Sequence, residues 1–223
     1  MKKFSFKLLF LYLSFILLST ICKVNAHEVV ESVMERLQCS RNEAIHFIGV
    51  VEGFISEIQN NISKIASHST SDSIKEDLID QTIANFFLKP SSWVQVTSLN
   101  RSAVRTYQID NYLERLAKLS KNNYTEVELI FAPDYLALGK IFYYEDDIYG
   151  NAYEFNVSMW QIFRAKFGDS IVYQDATLKT YGFIFFKSNK SNNWKLRVKC
   201  IAAKETVTLQ ELENRIKKTW ILE

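Results

Sequence analysis

The sequence predicts an α+β fold in which helices cover a curved antiparallel sheet. Up to residue 88 the apolar residues recur mainly at spacings of three and four, which is typical of helices. From Tyr124 onward apolar and polar residues alternate, which is typical of half-buried strands. The turn-like segments between these strands are short, and short connections favour an antiparallel meander.

The N-terminus has the pattern of an export signal. Lys2 and Lys3 precede the apolar run "LLFLYLSFILL" (8–18), and "VNA" (24–26) offers the compact residues that a signal peptidase reads. Because the run is short for a membrane span, residues 1–26 are predicted to be a cleaved signal and the protein to be periplasmic or secreted. Lipid anchoring at Cys22 is a minor alternative, and a retained anchor helix is another.

Residues 27–68 are predicted to form an N-terminal helical segment, separate from a domain over 69–223. A capping box, "SRNE" (40–43), restarts the helix after a break near Gln38–Cys39. The polar stretch "SHSTSD" (67–72) reads as a linker. Helix 41–66 either packs on its own domain or forms a homodimer or partner interface. Its apolar stripe consists of Phe47, Val51, Phe54, Ile58, Ile62 and Ile65.

The predicted domain over 69–223 alternates a few helices with many strands. The capping boxes "SIKE" (73–76) and "TLQE" (208–211) open helices that run to about Leu88 and Trp220. A short amphipathic helix is expected between them over 110–119. The predicted strands cover residues 93–99, 104–109, 124–131, 137–147, 152–166, 171–187 and 194–204.

This order of elements resembles the NTF2-like (SnoaL-like, cystatin-related cone) superfamily over residues 73–204. The segment "IANFFLKP…VQVTSLN" resembles its opening helix and first strand. The segment "YQDATLKTYGFIFFK…NWKLRVKCI" resembles the closing strand pair of exported members. The resemblance implies an NTF2-like cone, whose curved sheet wraps a pocket against helices. It also implies that an enzymatic member would place an acid–base pair inside the cone.

The histidines depart from that pattern. His27, His46 and His68 all precede the predicted domain, so the cone has no histidine base and a carboxylate must serve. The catalytic candidates are Asp175, with Tyr173 and Tyr181 as hydrogen-bond donors. Asp175 and Lys179 are nevertheless predicted to lie on a solvated outer face, where they pair with charged residues of neighbouring strands. The inward orientation, with Asp175 as a base, is the alternative.

The aromatic residues of the sheet either pack its core or form the wall of an apolar or carbohydrate-binding pocket. The ligand-pocket candidates are Tyr143, Tyr153, Phe155 and Trp160. No metal or cofactor is predicted, since no Cys/His cluster has ligand spacing and the acidic run 145–147 matches no calcium loop. Cys39 and Cys200 are either free thiols or a disulfide.

The formal net charge of +2, which includes lysines of the signal, does not favour a nucleic-acid partner. A membrane is expected to be met only through the export signal. We therefore expect an exported, non-catalytic binding or assembly module of the bacterial envelope, with a small apolar molecule as the ligand. The alternative is a small SnoaL-like enzyme of the isomerase, cyclase or dehydratase type that acts on an apolar ligand in the cone.

Overall fold

The structure is a computed structural model that describes residues 30–122, 124–146, 149–187 and 194–221. The predicted export signal and Cys22 lie outside these ranges. The chain divides into two compact units, one ending at Val50 and the other beginning at Val51. The second unit thus begins upstream of the predicted boundary at 68, and the autonomy of segments 27–68 and 69–223 stays a prediction. Among the described residues, no helix combines the length and the apolar character of a membrane span.

The N-terminal unit contains helix α1 (30–37) and the first part of helix α2 (Arg41–Ala66). Gln38 has a positive φ of 50°, which ends α1 and confirms the predicted break. The Ser40 N–H donates to the Glu43 carboxylate at 2.9 Å, and the Glu43 N–H donates weakly to Ser40 Oγ at 3.4 Å. The predicted capping box therefore starts α2.

The described residues of the second unit form the remainder of α2, three further helices and six strands. In chain order they are α3 (Asp72–Phe86), β1 (Trp93–Ser98), β2 (Arg101–Gln108), α4 (Ile109–Asn122), β3 (Glu126–Asp146), β4 (Gly150–Phe167), β5 (Ser170–Lys187), β6 (Trp194–Val207) and α5 (Leu209–Ile221).

Two local predictions are wrong. The segments 124–131 and 137–147 are one strand, β3, because the "APD" turn is absorbed into irregular register between Ala132 and Ala137. Helix α3 begins at Asp72 after Ser71, which makes no side-chain capping bond, so the box predicted at Ser73 lies inside the helix. At α5 the Glu211 N–H donates to Thr208 Oγ1 at 3.1 Å, as the third predicted box requires.

The sheet has the strand order β2-β1-β6-β5-β4-β3. Strands β3 to β6 form the predicted antiparallel meander. The β1–β6 pair departs from it, because Trp93 and Val94 run parallel to Cys200 and Ile201. Register shifts interrupt each pair of long strands and bend them. An α+β fold with a curved, open sheet and covering helices is confirmed.

An aromatic cluster fills the middle of the sheet face that carries the odd-numbered residues of β5, here called the inner face. The Phe183 ring lies 5.3 Å from the Phe155 ring and 6.1 Å from the Tyr181 ring. The Phe54 ring of α2 lies 6.0 Å from Phe183 and 5.1 Å from the Phe86 ring of α3. Helices α2 and α3 therefore cover this face with apolar side chains.

The outer face carries two apolar clusters with charged residues between and beside them. One joins Ala152, Ile184 and Phe186, and the other joins Ala176, Val207 and Leu212 of α5. Helix α5 thus covers one end of the face that was expected to be solvated. The expected ion pairs are present elsewhere on it, with Lys199 2.7 Å from Glu154 and Arg164 2.9 Å from Glu128.

Candidate functional site

A one-residue bulge turns the polar row of β5 to the inner face. Beside the β4–β5 turn Lys166 pairs with Ile171, and that register continued would place Asp175 opposite Ile162 on the outer face. The register shifts just beyond this pair, so Asp175 lies opposite Phe163 instead. Because side chains alternate between faces, a shift of one residue moves the whole row to the other side.

The predicted solvated position of Asp175 and Lys179 is therefore wrong. Their side chains are only 3% and 5% exposed, although long polar side chains are seldom fully buried without partners. Thr177, which lies between them, is also buried, and its hydroxyl is 2.9 Å from that of Thr206. The inward alternative describes these side chains correctly.

Tyr173 joins Asp175 to the turn between β1 and β2. Its hydroxyl donates to the Asp175 carboxylate and accepts the Leu99 N–H at 3.0 Å. The Ser98 hydroxyl lies 2.9 Å from the same oxygen. Strand β6 pairs with β5 only from Ala176 onward. At Tyr173 no strand of the described residues therefore lies between β5 and the end of β1, and these hydrogen bonds join the two directly.

Lys179 holds β1 at the point where it separates from β6. The parallel pairing ends at Val94, and beyond it the Ala203 N–H donates to Gln95 Oε1 at 3.1 Å. Lys179 lies opposite Ala203, and its ammonium donates to the Gln95 carbonyl. Because alanine is small, the lysine chain can cross β6 and donate to a carbonyl of β1 beyond the end of the β1–β6 pairing.

Burial opposes the charge on both ionisable side chains. It raises the pKa of Asp175, although the Tyr173 hydroxyl, the Leu99 N–H and the Lys179 charge act in the opposite direction. Burial lowers the pKa of Lys179 to about 8, and the Asp175 charge only partly opposes this. Burial and then the hydrogen bond to Asp175 raise the pKa of Tyr173. The carboxyl is thus easier to protonate, and the amine easier to deprotonate, than in water.

Tyr181, the third catalytic candidate, belongs to a separate polar group. Burial raises the pKa of Tyr112 in α4 to about 12, although the Tyr112 hydroxyl is hydrogen-bonded to the Gln161 side chain. Burial, and then the neighbouring Tyr112, raises the pKa of Tyr181 well above its usual value. Tyr181 lies about 20 Å along the strand from Asp175, at roughly 3.3 Å per residue. The structure brings Tyr173 to Asp175 and leaves Tyr181 apart.

The four ligand-pocket candidates do not line one pocket. Phe155 is buried in the aromatic cluster, and Trp160 packs on the outer face beside the Ala176 cluster. Tyr143 and Tyr153 pair across β3 and β4 with ring centroids 5.3 Å apart, and the Tyr143 side chain is 59% exposed.

The other titratable candidates lie away from the polar row. His46 and His68 are exposed, and His27 lies outside the described residues. Cys39 and Cys200 are free thiols, each partly buried. Within the described ranges no three His, Cys, Asp or Glu side chains are grouped so that they could hold a metal ion. The acidic run 145–147 extends beyond those ranges.

The residues missed from the sequence were the partners of the row. From the sequence, Gln95 and Ser98 are predicted only as part of a short strand, Tyr112 only as a residue on the apolar side of helix 110–119, and Gln161 has no predicted role. The one available signal was on β4, where alternate apolar residues mark the buried face unambiguously. It could not be transferred to β5, because the bulge that sets the register has no glycine or proline to mark it.

Four exposed apolar side chains lie at the end of the sheet where Tyr173 joins β5 to the β1–β2 turn. Leu99 belongs to the β1–β2 turn, whereas Phe167, Ile171 and Val172 flank the β4–β5 turn. The hydrogen bond from the Leu99 N–H to Tyr173 brings the two turns together. We call these four residues the apolar rim.

The sequence matches no protein-family profile and no curated protein. Similar solved structures include a Novosphingobium aromaticivorans protein assigned as a scytalone dehydratase, with 11% identity, 75% of this chain and 91% of that chain covered, and a TM-score of 0.37. A Kribbella flavida protein has 14% identity, coverages of 70% and 92%, and a TM-score of 0.35. The β subunit of an assigned aromatic-ring-hydroxylating dioxygenase from N. aromaticivorans has 13% identity, coverages of 69% and 84%, and a TM-score of 0.35. Likeness at this level carries no conclusion on activity, and membership of the NTF2-like superfamily stays a prediction.

Proposed function

We propose that the chain is an exported, non-catalytic binding or assembly module of the bacterial envelope. The N-terminal export pattern of residues 1–26 supports the location. The proposal that the module is non-catalytic rests on the hydrogen bonds that the inner polar row of β5 makes to the backbone. Tyr173 and Lys179 direct their hydrogen-bonding groups at Leu99 and Gln95, so the row stabilises a strand end instead of facing a reactant.

Among the described residues, aromatic rings pack against one another on the inner face. Phe54, Phe86, Phe155 and Phe183 lie in ring contact there, as in a packed core. Binding is instead expected outside the cone. The apolar rim exposes four large side chains from two adjoining turns, and grouped exposed apolar side chains commonly mark interaction surfaces.

The second candidate is a small enzyme acting on an apolar ligand, with Asp175 as the base and Tyr173 as the donor. One observation favours it, namely the raised pKa of a buried carboxyl that is hydrogen-bonded to a tyrosine hydroxyl. A general base of this kind requires a raised carboxyl pKa.

Tyr173→Phe separates the two candidates without knowledge of a substrate. If the hydroxyl stabilises the strand end, its loss leaves the Leu99 N–H and the Asp175 carboxyl each short of a partner. The free energy of unfolding should then fall by about 1–3 kcal/mol in urea titrations. Tyr143→Phe is the matched control, because its exposed ring makes no hydrogen bond through the hydroxyl within the described residues, and it should change stability little.

Unchanged or increased stability of Tyr173→Phe would contradict the proposal. Groups kept for catalysis are commonly held at a cost to the fold, so their removal tends to stabilise. That result would favour the enzyme candidate.

A further inference from the structure

Strand β2 forms one edge of the sheet. It pairs antiparallel with β1 over Trp93–Ser98, and on its other side no strand of the described residues lies beside it. An edge strand of this kind presents unpaired N–H and C=O groups along its free side. Such an edge can take up an extended segment as an additional strand.

Both faces of β2 are open to solvent. Arg105 is exposed on one face and Thr106 on the other, and the neighbouring Ala103 and Val104 are exposed as well, with Val104 50% exposed. A half-buried strand would show one buried face. This strand therefore contributes little to the core. Side chains of a partner strand along the edge could lie beside its exposed side chains.

The exposed charge on β2 is basic. Arg101 and Arg105 lie opposite Ser98 and Val96, which are two residues apart in β1, so both arginines project on the same face. Neither forms an ion pair with another described residue, and β2 contains no acidic residue. On the same face, the Arg115 guanidinium of α4 lies 4.9 Å from the centroid of the Tyr107 ring and adds a third positive charge.

The charge decides between two occupants of the edge. Pairing with a second copy of β2 would bring arginines of both copies close together, and such like charges on an edge oppose self-association. An acidic segment meets the opposite condition, because carboxylates at every second or fourth residue of a strand fall on the face that carries the arginines.

We propose that the free edge of β2 binds an extended acidic segment of a partner protein as an added strand. Main-chain hydrogen bonds attach the segment, and its carboxylates pair with Arg101 and Arg105. This inference rests on the proposed binding function and names the kind of partner that it serves.

The test uses the purified protein and a fluorescent ten-residue peptide in which Glu alternates with Val and Thr. Fluorescence anisotropy should detect binding that a peptide with Lys in place of Glu does not show. The double variant Arg101→Glu/Arg105→Glu should bind at least about tenfold more weakly, since it places like charges where the pairs with the peptide carboxylates form. The control Lys195→Glu/Lys204→Glu makes the same charge change at exposed positions of β6 and should keep the affinity.

Two further peptides test whether the added segment forms a strand. N-methylation of alternate residues removes one set of N–H donors in each peptide, so only one of the two should lose binding. Amides of residues 101–108 should also become protected from hydrogen exchange when the unmethylated peptide binds. Equal binding by both methylated peptides, or equal binding of the Glu and Lys peptides, would overturn the inference. No binding of the Glu peptide at low salt would also overturn it, while the Tyr173→Phe result would still decide the proposed function separately.

Discussion

Lys179 is a buried cation whose hydrogen-bond partner is a backbone carbonyl. Its pKa lies at about 8 in the folded chain, whereas the ordinary value is 10.5. Between these two pH values the unfolded chain holds a proton on this lysine that the folded chain has released. The contribution of Lys179 to stability is therefore poorest below pH 8, and it improves as the pH rises from about 8 to 10.5.

Lys179→Met removes this titration and should alter the pH dependence of stability. The free energy of unfolding of the parent protein minus that of the variant should rise by up to about 3 kcal/mol between pH 7 and pH 10. Urea titrations of both proteins across that pH range measure this difference. The titration of groups that the two proteins share cancels in it. Exposed Lys195→Met should show no such change. A difference between parent and Lys179→Met that is constant with pH would contradict the described environment of the lysine.

At the scale of elements, the aromatic cluster joins α2 and α3 to the sheet. Phe183 is fully buried and contacts the rings of Phe54, Phe155 and Tyr181. A ring in that position contributes both its buried area and its edge or stacking contacts.

Phe183→Ala should lower the free energy of unfolding by about 3–5 kcal/mol, because it leaves a cavity that the neighbouring rings cannot fill. Phe142→Ala is the matched control, since that side chain is 57% exposed and should change stability by well under 1 kcal/mol. Chemical denaturation of both variants measures the contrast. A small effect at Phe183 would indicate that the inner face tolerates empty space and would reopen the question of a ligand there.

Strand β5 shows where prediction from the sequence reached its limit. Alternation gave the ends of β4, β5 and β6 to within a few residues, because half-buried strands must separate apolar from polar side chains. It could not decide which face of β5 is buried, since both rows of residues 173–182 contain polar side chains. The decision lies in the bulge beside Lys166, and nothing in the local sequence marks that bulge.

At the scale of the whole molecule, α2 crosses the division between the two compact units. The part from Val51 to Ala66 belongs to the second unit, and its Ser63 hydroxyl donates to the Leu129 carbonyl at 3.3 Å. The stripe residues Val51, Ile58, Ile62 and Ile65 are buried within the single chain, so packing on the chain itself accounts for most of the predicted stripe. A partner role for helix 41–66 stays a prediction, and Ile45 and Val50 are its exposed large aliphatic side chains.

The sequence placed the domain boundary at the polar linker after residue 66, because composition marks loops and does not show which helix face packs on a distant sheet. Two truncations test the boundary. A variant that begins at Val51 keeps Phe54 and the buried isoleucines, and it should unfold cooperatively. A variant that begins at Ser69 exposes the Phe86 and Phe183 rings, and each apolar side chain lost from α2 removes about 1.5–3 kcal/mol of burial. Its unfolding transition should be lost or shifted far below that of the longer variant in calorimetry and circular dichroism. Equal stability of the two variants would instead establish residues 69–223 as a self-contained domain and leave α2 free to serve a partner.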